Sequence, residues 1–313
     1  MKRLPDFVVL GQGKAGTSLI YRVFKRNPDV GLSQPKELFF YNQNFDKGLE
    51  WYLSHFAHVE PDVARLGEIC PAYLDPEVVE RIHATLGDKV GMIFVLRHPI
   101  EQAYSRYLQN ICAAQGKRAF AFKAKAVLAN RCEQLHAALE TLYRLYAPDR
   151  ILPLIFEQDV DVAPPLFEAK VCDFLGLPRS DHMHHFSKRG KVNAGVMPRF
   201  VYGGETGMRL LCEGEAYDIP AGELVFCAQA RNSASFGQVD VKEAEAAQAR
   251  SAKWMNHLSE EEFAHLQNDL VLPFTERLER DFGLDLSHWR VAPRRIAYDL
   301  APPPAEYLAE GNA

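Results

Sequence analysis

The chain has no stretch approaching the ~20 consecutive apolar residues that a membrane-spanning helix needs. Its N-terminal apolar run, Phe7 to Leu10, is too short for the core of a signal peptide. The expectation is a soluble, cytoplasmic protein with no membrane span. An excess of positive charge is missing too: 36 Lys and Arg stand against 41 Asp and Glu, for a net charge of −5. With no global basic field, nucleic acid is not an expected partner, though a local basic patch is compatible with that balance. The six cysteines (Cys70, Cys112, Cys132, Cys172, Cys212 and Cys227) include no CxxC pair and no zinc-ligand spacing. They read as reduced thiols, several of them filling core positions. Pairing of Cys212 with Cys227 across a hairpin is the less favoured alternative. No internal repeat divides the chain.

What is present is an ordinary globular composition. The 313 residues are 47% hydrophobic and 25% charged, enough for one large α/β domain or two smaller ones. Residues 6–10 (DFVVL) predict a short buried strand, followed by GQGKAGTS at 11–18. Leu19, Ile20, Val23 and Phe24 then recur at helical spacing until Pro28. Further strands are expected at 66–70, 89–97 and 150–156. Helices are expected at 76–86, from Pro99 through Ile111, at 131–147 and at 165–175. This alternation predicts an α/β fold, a P-loop-like parallel sheet with helices on both faces. Residues 202–250 break the rhythm. There Gly203, Gly204 and Gly207 precede two apolar runs, MRLLC and ELVFCA, around a turn at Pro220–Gly222. They read as an inserted hairpin or cap. A helix over 259–282 should follow, with Ser259 and Glu262 as a capping box and a kink at Pro273.

A glycine-rich turn between a strand and a helix aims backbone N–H groups, with the positive end of the helix dipole, at one point. In GQGKAGTS the glycines permit the turn, Lys14 supplies a cation, and Thr17 and Ser18 supply hydroxyls. A plain strand–helix turn with a solvated lysine is the simpler alternative. The loop is not a Walker A sequence: there the lysine directly precedes Ser/Thr, whereas Gly16 occupies that place and Lys14 lies three residues before Thr17. A magnesium-dependent nucleoside triphosphatase would also want a strand-end Asp, and GMIFVLR ends in Arg97. GQGKAG has the GxGxxG spacing of a dinucleotide loop, but no acidic residue ends the next strand.

GQGKAGTS ahead of a helix resembles the 5′-phosphosulfate loop of the sulfotransferases that use 3′-phosphoadenosine-5′-phosphosulfate (PAPS). VLRHPIEQAYSRY (95–107) resembles that family's 3′-phosphate motif, in which an arginine ends a strand and a serine follows eight residues later, as Arg97 and Ser105 do. PKELFF (35–40), KGLEWYLSHF (47–56) and GEICPAYL (67–74) are similar to the heparan sulfate branch and its bacterial relatives. The resemblance covers roughly residues 6–180 and implies one sulfotransferase domain, expected over 1–300 with 202–250 as its inserted cap; residues 301–313 read separately as a mobile tail. It also implies a PAPS donor, 3′,5′-adenosine bisphosphate as product, and no required metal.

By that resemblance Lys14 meets the oxygen bridging phosphorus and sulfur. Gly13, Ala15, Gly16, Thr17 and Ser18 hold the 5′-phosphate. Arg97 and Ser105 hold the 3′-phosphate, joined by Lys188, Arg189 and Gly190 of SKRGKVNAG. Glu37 is the general base on a hydroxyl or amine of a small-molecule, lipid or saccharide acceptor. Each has a simpler alternative: Arg97 in an ion pair with a neighbouring carboxylate, Glu37 on the surface against Lys36, and 188–190 as a solvated basic turn. Trp51 and Tyr52 read as core or cleft wall. His182, His184 and His185 lack the companions of a metal site. Two departures from the branch, Phe39 in place of a histidine and Ile69–Cys70 in place of a lysine, remove polar groups near the acceptor and weigh against a heparan-like polyanion. A P-loop small-molecule kinase and a non-catalytic nucleotide-binding relative are the alternatives.

Overall fold

The structure, a computed structural model, describes residues 3–103, 106, 124–160, 164–178, 199–203, 207–210, 224–227 and 260–291. Its chain forms two compact units. The first comprises Met1–Gln102, Ala126–Val192 and Gln267–Ala292; the second comprises Ala103–Lys125, Asn193–Leu266 and Pro293–Ala313.

The first unit is built on five strands: β1 (Phe7–Gly11), β2 (Val30–Leu32), β3 (Arg65–Ile69), β4 (Gly91–Leu96) and β5 (Ile151–Ile155). They pair in the order β2-β3-β1-β4-β5, every pairing parallel. The helices include α1 (Thr17–Arg26), α2 (Phe40–Gln43), α3 (Gly48–Ser54), α4 (Pro76–Leu86), α5 (Ala124–Leu145), α6 (Pro164–Leu175), α7 (Glu260–Leu266), which belongs to the second unit, and α8 (Leu272–Phe282); residues 99–103 are also helical. A sheet covered on both faces needs strands apolar on both sides, and FVVLG and GMIFVL are buried throughout. Their alternation sorts the core into two layers. Val8, Leu10, Met92, Phe94 and Leu96 pack with α4, α5 and α8. Phe7, Val9, Ile93 and Val95 pack with α1 and α6. The predicted α/β fold, helices on both faces of a parallel sheet, is thus the fold observed.

Parallel strands bring all their C-terminal ends to one edge. From β1 the chain crosses toward β2, and from β4 toward β5, so these adjacent strands send their connections in opposite directions. That switch point opens a crevice at the strand ends, and GQGKAGTS and Arg97 flank it.

Several details differ from expectation. The periodicity missed β2, α2 and α3, which are too short to show a pattern. Helix α5 starts seven residues before 131, at Ala124. The expected 259–282 helix is broken into α7, a π-helical segment Gln267–Val271 and α8. A proline lacks the N–H and crowds the carbonyl four residues back, so the ladder widens just before Pro273. Ser259 lies outside the described residues, as does the tail from 301.

In the second unit, β6 (Arg199–Gly203), β7 (Gly207–Leu210) and β8 (Leu224–Cys227) form an antiparallel sheet in the order β7-β6-β8. The two apolar runs are therefore strands, but they do not pair with each other as the expected hairpin; β6 lies between them. The reason is local: Gly203 pairs with Gly207, and so short a closure costs less entropy than closure from 210 to 224. No described helix is long and apolar enough to cross a membrane.

Candidate active site

β1 ends at Gly11, and Gln12–Gly16 turn the chain into α1. The Gln12 N–H donates to the Val95 carbonyl at 3.3 Å and the Ala15 N–H to the Gln12 carbonyl at 3.1 Å, which closes the turn. Gly16 has φ +92°, and a Cβ there would lie 3.0 Å from both Phe156 and Val160 side chains, so only glycine fits without displacement. Because Gly16 is also the N-cap, no side-chain oxygen occupies the first-turn amides, and that turn has no acidic residue. The arrangement is that of an anion-binding helix terminus. Gly13, Lys14 and Ser18 are half-buried beside it; Ala15 and Thr17 are buried.

The carbonyls of the loop are pinned from the segment that follows β4. Gln102 Nε2 donates to the Gly13 carbonyl at 2.7 Å, and Arg97 Nη1 to the Lys14 carbonyl at 2.9 Å. Since C=O and the following N–H of a trans peptide point opposite ways, the first contact turns the Lys14 N–H to the other side of the loop. Arg97 also donates through Nε and Nη2 to Glu101 Oε2, at 3.3 and 2.9 Å, and lies 4.6 Å over the Phe156 ring. The ion pair weighed for Arg97 is therefore present, and these bonds use three of its five N–H groups. The next residue, His98, donates its backbone N–H to Glu157 at 2.8 Å, while its ring meets Gln267 at 3.0 Å. Burial, with the Arg97 charge adding, lowers the His98 ring to about 4, so it is a neutral brace at neutral pH.

Two strands away, β2 leads into the loop carrying Glu37. Ser33 Oγ donates to the carbonyls of Pro35 and Lys36, and Gln34 exchanges bonds with His55. Glu37 Oε1 lies 2.6 Å from Lys36 Nζ, with the glutamate side chain 30% exposed. Beneath the loop stands Glu68 of β3, fully buried, accepting from the Tyr52 hydroxyl at 2.8 Å and the Tyr73 hydroxyl at 2.7 Å. Burial pushes the Glu68 carboxyl up to about 7 against the hydrogen bonds that favour its charge. Cys70 is buried beside them; burial first, then the Glu68 and Glu37 charges, push its thiol up to about 12.

Residues 4–192 match the family described as the sulfotransferase domain, more than half of the chain. The chain belongs to that family. Among curated proteins it is 31% identical over 107 residues to membrane-associated sulfotransferase kil1 of Dictyostelium discoideum, covering 33% of this chain and 22% of kil1. It is 36% identical over 114 residues to bifunctional heparan sulfate N-deacetylase/N-sulfotransferase 2 of Homo sapiens, covering 34% of this chain and 13% of that protein. With heparan sulfate glucosamine 3-O-sulfotransferase 5 of Mus musculus it shares 28% identity over 192 residues, 57% of this chain and 55% of the relative. The match thus spans a minor part of the first two and about half of the third. A solved sulfotransferase from Alicyclobacillus acidocaldarius has the same fold at 15% identity and a TM-score of 0.59, covering 92% of this chain and all of that one.

In this sulfotransferase chain the structure brings together Gly13, Lys14, Ala15, Gly16, Thr17, Ser18 and Arg97. Glu37 stands at the same sheet edge, on the loop after β2. Ser105, Lys188, Arg189 and Gly190, and the histidines at 182, 184 and 185, lie outside the described residues. Sequence reasoning missed Glu101, Gln102 and Phe156, which shape the glycine loop, and the Tyr52–Glu68–Tyr73 cluster. Glu68 and Tyr73 lie inside the GEICPAYL segment, so its similarity was a usable signal; Gln102 carried none. Tyr52 is a buried core residue, as one alternative had it.

Proposed function

We propose that the chain is an enzyme that transfers a sulfo group from PAPS to a hydroxyl or amine of an acceptor, in line, with 3′,5′-adenosine bisphosphate as the other product. The observation that carries this is the uncapped α1 terminus behind Gly16, set in a glycine loop whose carbonyls are tied back by Gln102 and Arg97. Such a terminus fits the 5′-phosphate, and Lys14, half-buried beside it, is the cation this reading assigns to charge growing on the bridging oxygen. Arg97 contributes its remaining donors to the 3′-phosphate, with Ser105 and 188–190 as the other contributors the sequence resemblance names.

Neighbouring strands are about 4.8 Å apart, so the ends of β1 and β2 are separated by about 10 Å. On this reading the sulfo group and the acceptor meet above that edge, between Lys14 and Glu37. As general base, Glu37 takes the acceptor proton as sulfur–oxygen or sulfur–nitrogen bonding develops, and Lys14 stabilises the departing phosphate. A saccharide acceptor is favoured among the three classes, because two of the relatives above are named for action on heparan sulfate. The absence of the branch's histidine and lysine at Phe39 and Ile69–Cys70 points to a less charged saccharide than heparan sulfate.

The test is thermal shift with 3′,5′-adenosine bisphosphate, without magnesium, against ATP with magnesium. Bisphosphate at 100 times its dissociation constant should stabilise the fold by about 2.7 kcal/mol. Stabilisation by ATP–magnesium alone would instead favour the kinase alternative and overturn the reading.

A further inference from the structure

We propose that Glu68 is a positioning residue for sulfo transfer: clamped between the Tyr52 and Tyr73 hydroxyls, it holds the backbone of residues 40–41 and thereby aims Glu37 at the acceptor. This rests on the reading of Glu37 as general base.

The geometry runs as a short chain of bonds. Tyr52 donates to Oε2 and Tyr73 to Oε1 of Glu68. While its O–H donates to Glu68, the Tyr73 oxygen accepts the N–H of Phe40 at 2.7 Å and lies 3.4 Å from that of Tyr41. Two amides just C-terminal to Glu37 therefore end on the hydroxyl that Glu68 holds. Just before them Phe39 is held at φ +51°, a left-handed conformation uncommon for a bulky residue. Backbone of that kind persists only where its surroundings over-determine it. Asn44 adds one restraint, Nδ2 donating to the Leu38 carbonyl at 2.9 Å.

A buried carboxylate is a costly way to fill a core. An apolar side chain would pack as well against β1 but would satisfy none of these donors. As an ionised acceptor Glu68 takes one hydroxyl on each oxygen, whereas a glutamine offers a single acceptor oxygen and an NH₂ that cannot accept. Glu68→Gln thus leaves at least one donor of the loop system without its partner while keeping the shape of the side chain.

The test uses the full chain with Glu68→Gln, and Tyr73→Phe as a second variant that keeps the carboxylate and removes one hydroxyl. Amide exchange over residues 36–44 should quicken about tenfold in both, the loss of roughly one hydrogen bond. Exchange over 11–24 and affinity for 3′,5′-adenosine bisphosphate should not change. Turnover is read as radiolabelled sulfo transfer from PAPS to a de-N-sulfated heparan oligosaccharide, to a naphthol and to water. Glu68→Gln should lower kcat about tenfold in the otherwise unaltered chain and not at all in a Glu37→Gln background, because a positioning residue acts only through the group it positions. Equal losses in both backgrounds, or unchanged exchange over 36–44, overturn the proposal. If Glu37→Gln alone leaves kcat unaltered, the base assignment falls and takes the proposal with it. Failure of the bisphosphate to bind the unaltered chain is a different result and removes the sulfotransferase reading itself.

Discussion

The two sides of the sheet edge solve the same problem by different means. Beside β1 and β4, the glycine loop presents backbone: Gly16 at a left-handed φ, carbonyls tied back by the Gln102 and Arg97 side chains, and a helix terminus without a side-chain cap. Beside β2 and β3, the Glu37 loop takes its shape from buried side chains, Glu68, Tyr52 and Tyr73, that reach up from the core. A phosphate is recognised by several amides converging on a point, which backbone provides; a base must hold one carboxylate in one place, which a packed side-chain network provides. The donor side should therefore be sensitive to the loss of glycine and arginine, and the base side to the loss of single polar groups.

The largest expected effect separates the sides outright. Glu37→Gln should lower turnover roughly 10²–10⁴-fold, the range for a general base, and leave bisphosphate affinity as it was. Lys14→Ala should lower turnover roughly 10²–10³-fold if it stabilises the leaving charge. Steady-state kinetics beside equilibrium binding reads both. A Glu37→Gln chain that has lost its nucleotide would show that the two sides are not independent.

Next comes the pH dependence of stability, which belongs to the base side. The Glu68 carboxyl is raised from 4.5 to about 7, with Tyr41, Tyr52, Tyr73, Cys70 and the nearby Glu37 as the titratable groups around it. Below 4.5 it is protonated folded and unfolded alike. As pH rises toward 7 the unfolded chain loses this proton first, so the folded state becomes less stable, on the order of 3 kcal/mol across the window. Urea denaturation at pH 5 and 7.5 should show that decline in the natural chain and a flatter profile in Glu68→Gln. Parallel profiles would mean that Glu68 titrates in the ordinary glutamate range.

On the donor side, Gly16→Ala should cost about 1–3 kcal/mol, the usual cost of a non-glycine in that backbone region, with Phe156 and Val160 each forced to give way. Arg97→Ala should weaken bisphosphate binding about 10–100-fold through lost charge-assisted bonds, read by titration calorimetry. It should also loosen the glycine loop, because Arg97 holds the Lys14 carbonyl.

The same contrast explains what the sequence made legible. GQGKAGTS announces a loop because its determinants are neighbours: strand, glycines, lysine and helix start within a dozen residues. The alternation of buried strands with amphipathic helices likewise showed the layered sheet. Arg97 was legible as a strand-end cation, but not its sharing between Glu101 and a carbonyl 83 positions back. Glu68 gave no local sign that it is buried, since its partners Tyr52 and Tyr73 stand 16 and 5 positions away and only packing unites them. The three-stranded sheet was misread for the opposite reason. The two apolar runs were visible, but the strand that lies between them in the sheet, RFVYG, precedes both in the chain and was not read as a strand.

The smallest predicted effect sets two left-handed positions, one on each side, against each other. At Gly16 a side chain has no room; at Phe39, two positions after Glu37, a whole aromatic ring is accommodated at φ +51° and packs at the edge of the core. Asparagine tolerates this backbone better than phenylalanine, a gain of roughly 1 kcal/mol, and it is a favoured N-cap for the helix that begins at Phe40. Against that stands the lost contact of a partly buried ring, of similar size at about 1–2 kcal/mol. Phe39→Asn should therefore change stability by less than about 1 kcal/mol, a small value for removing an aromatic side chain from a packed position. Urea denaturation beside Gly16→Ala gives the comparison directly. If Phe39→Asn costs more than Gly16→Ala, the ring rather than the Glu68–Tyr73 bonds anchors the Glu37 loop, and the division between a backbone-built donor side and a network-built base side does not hold.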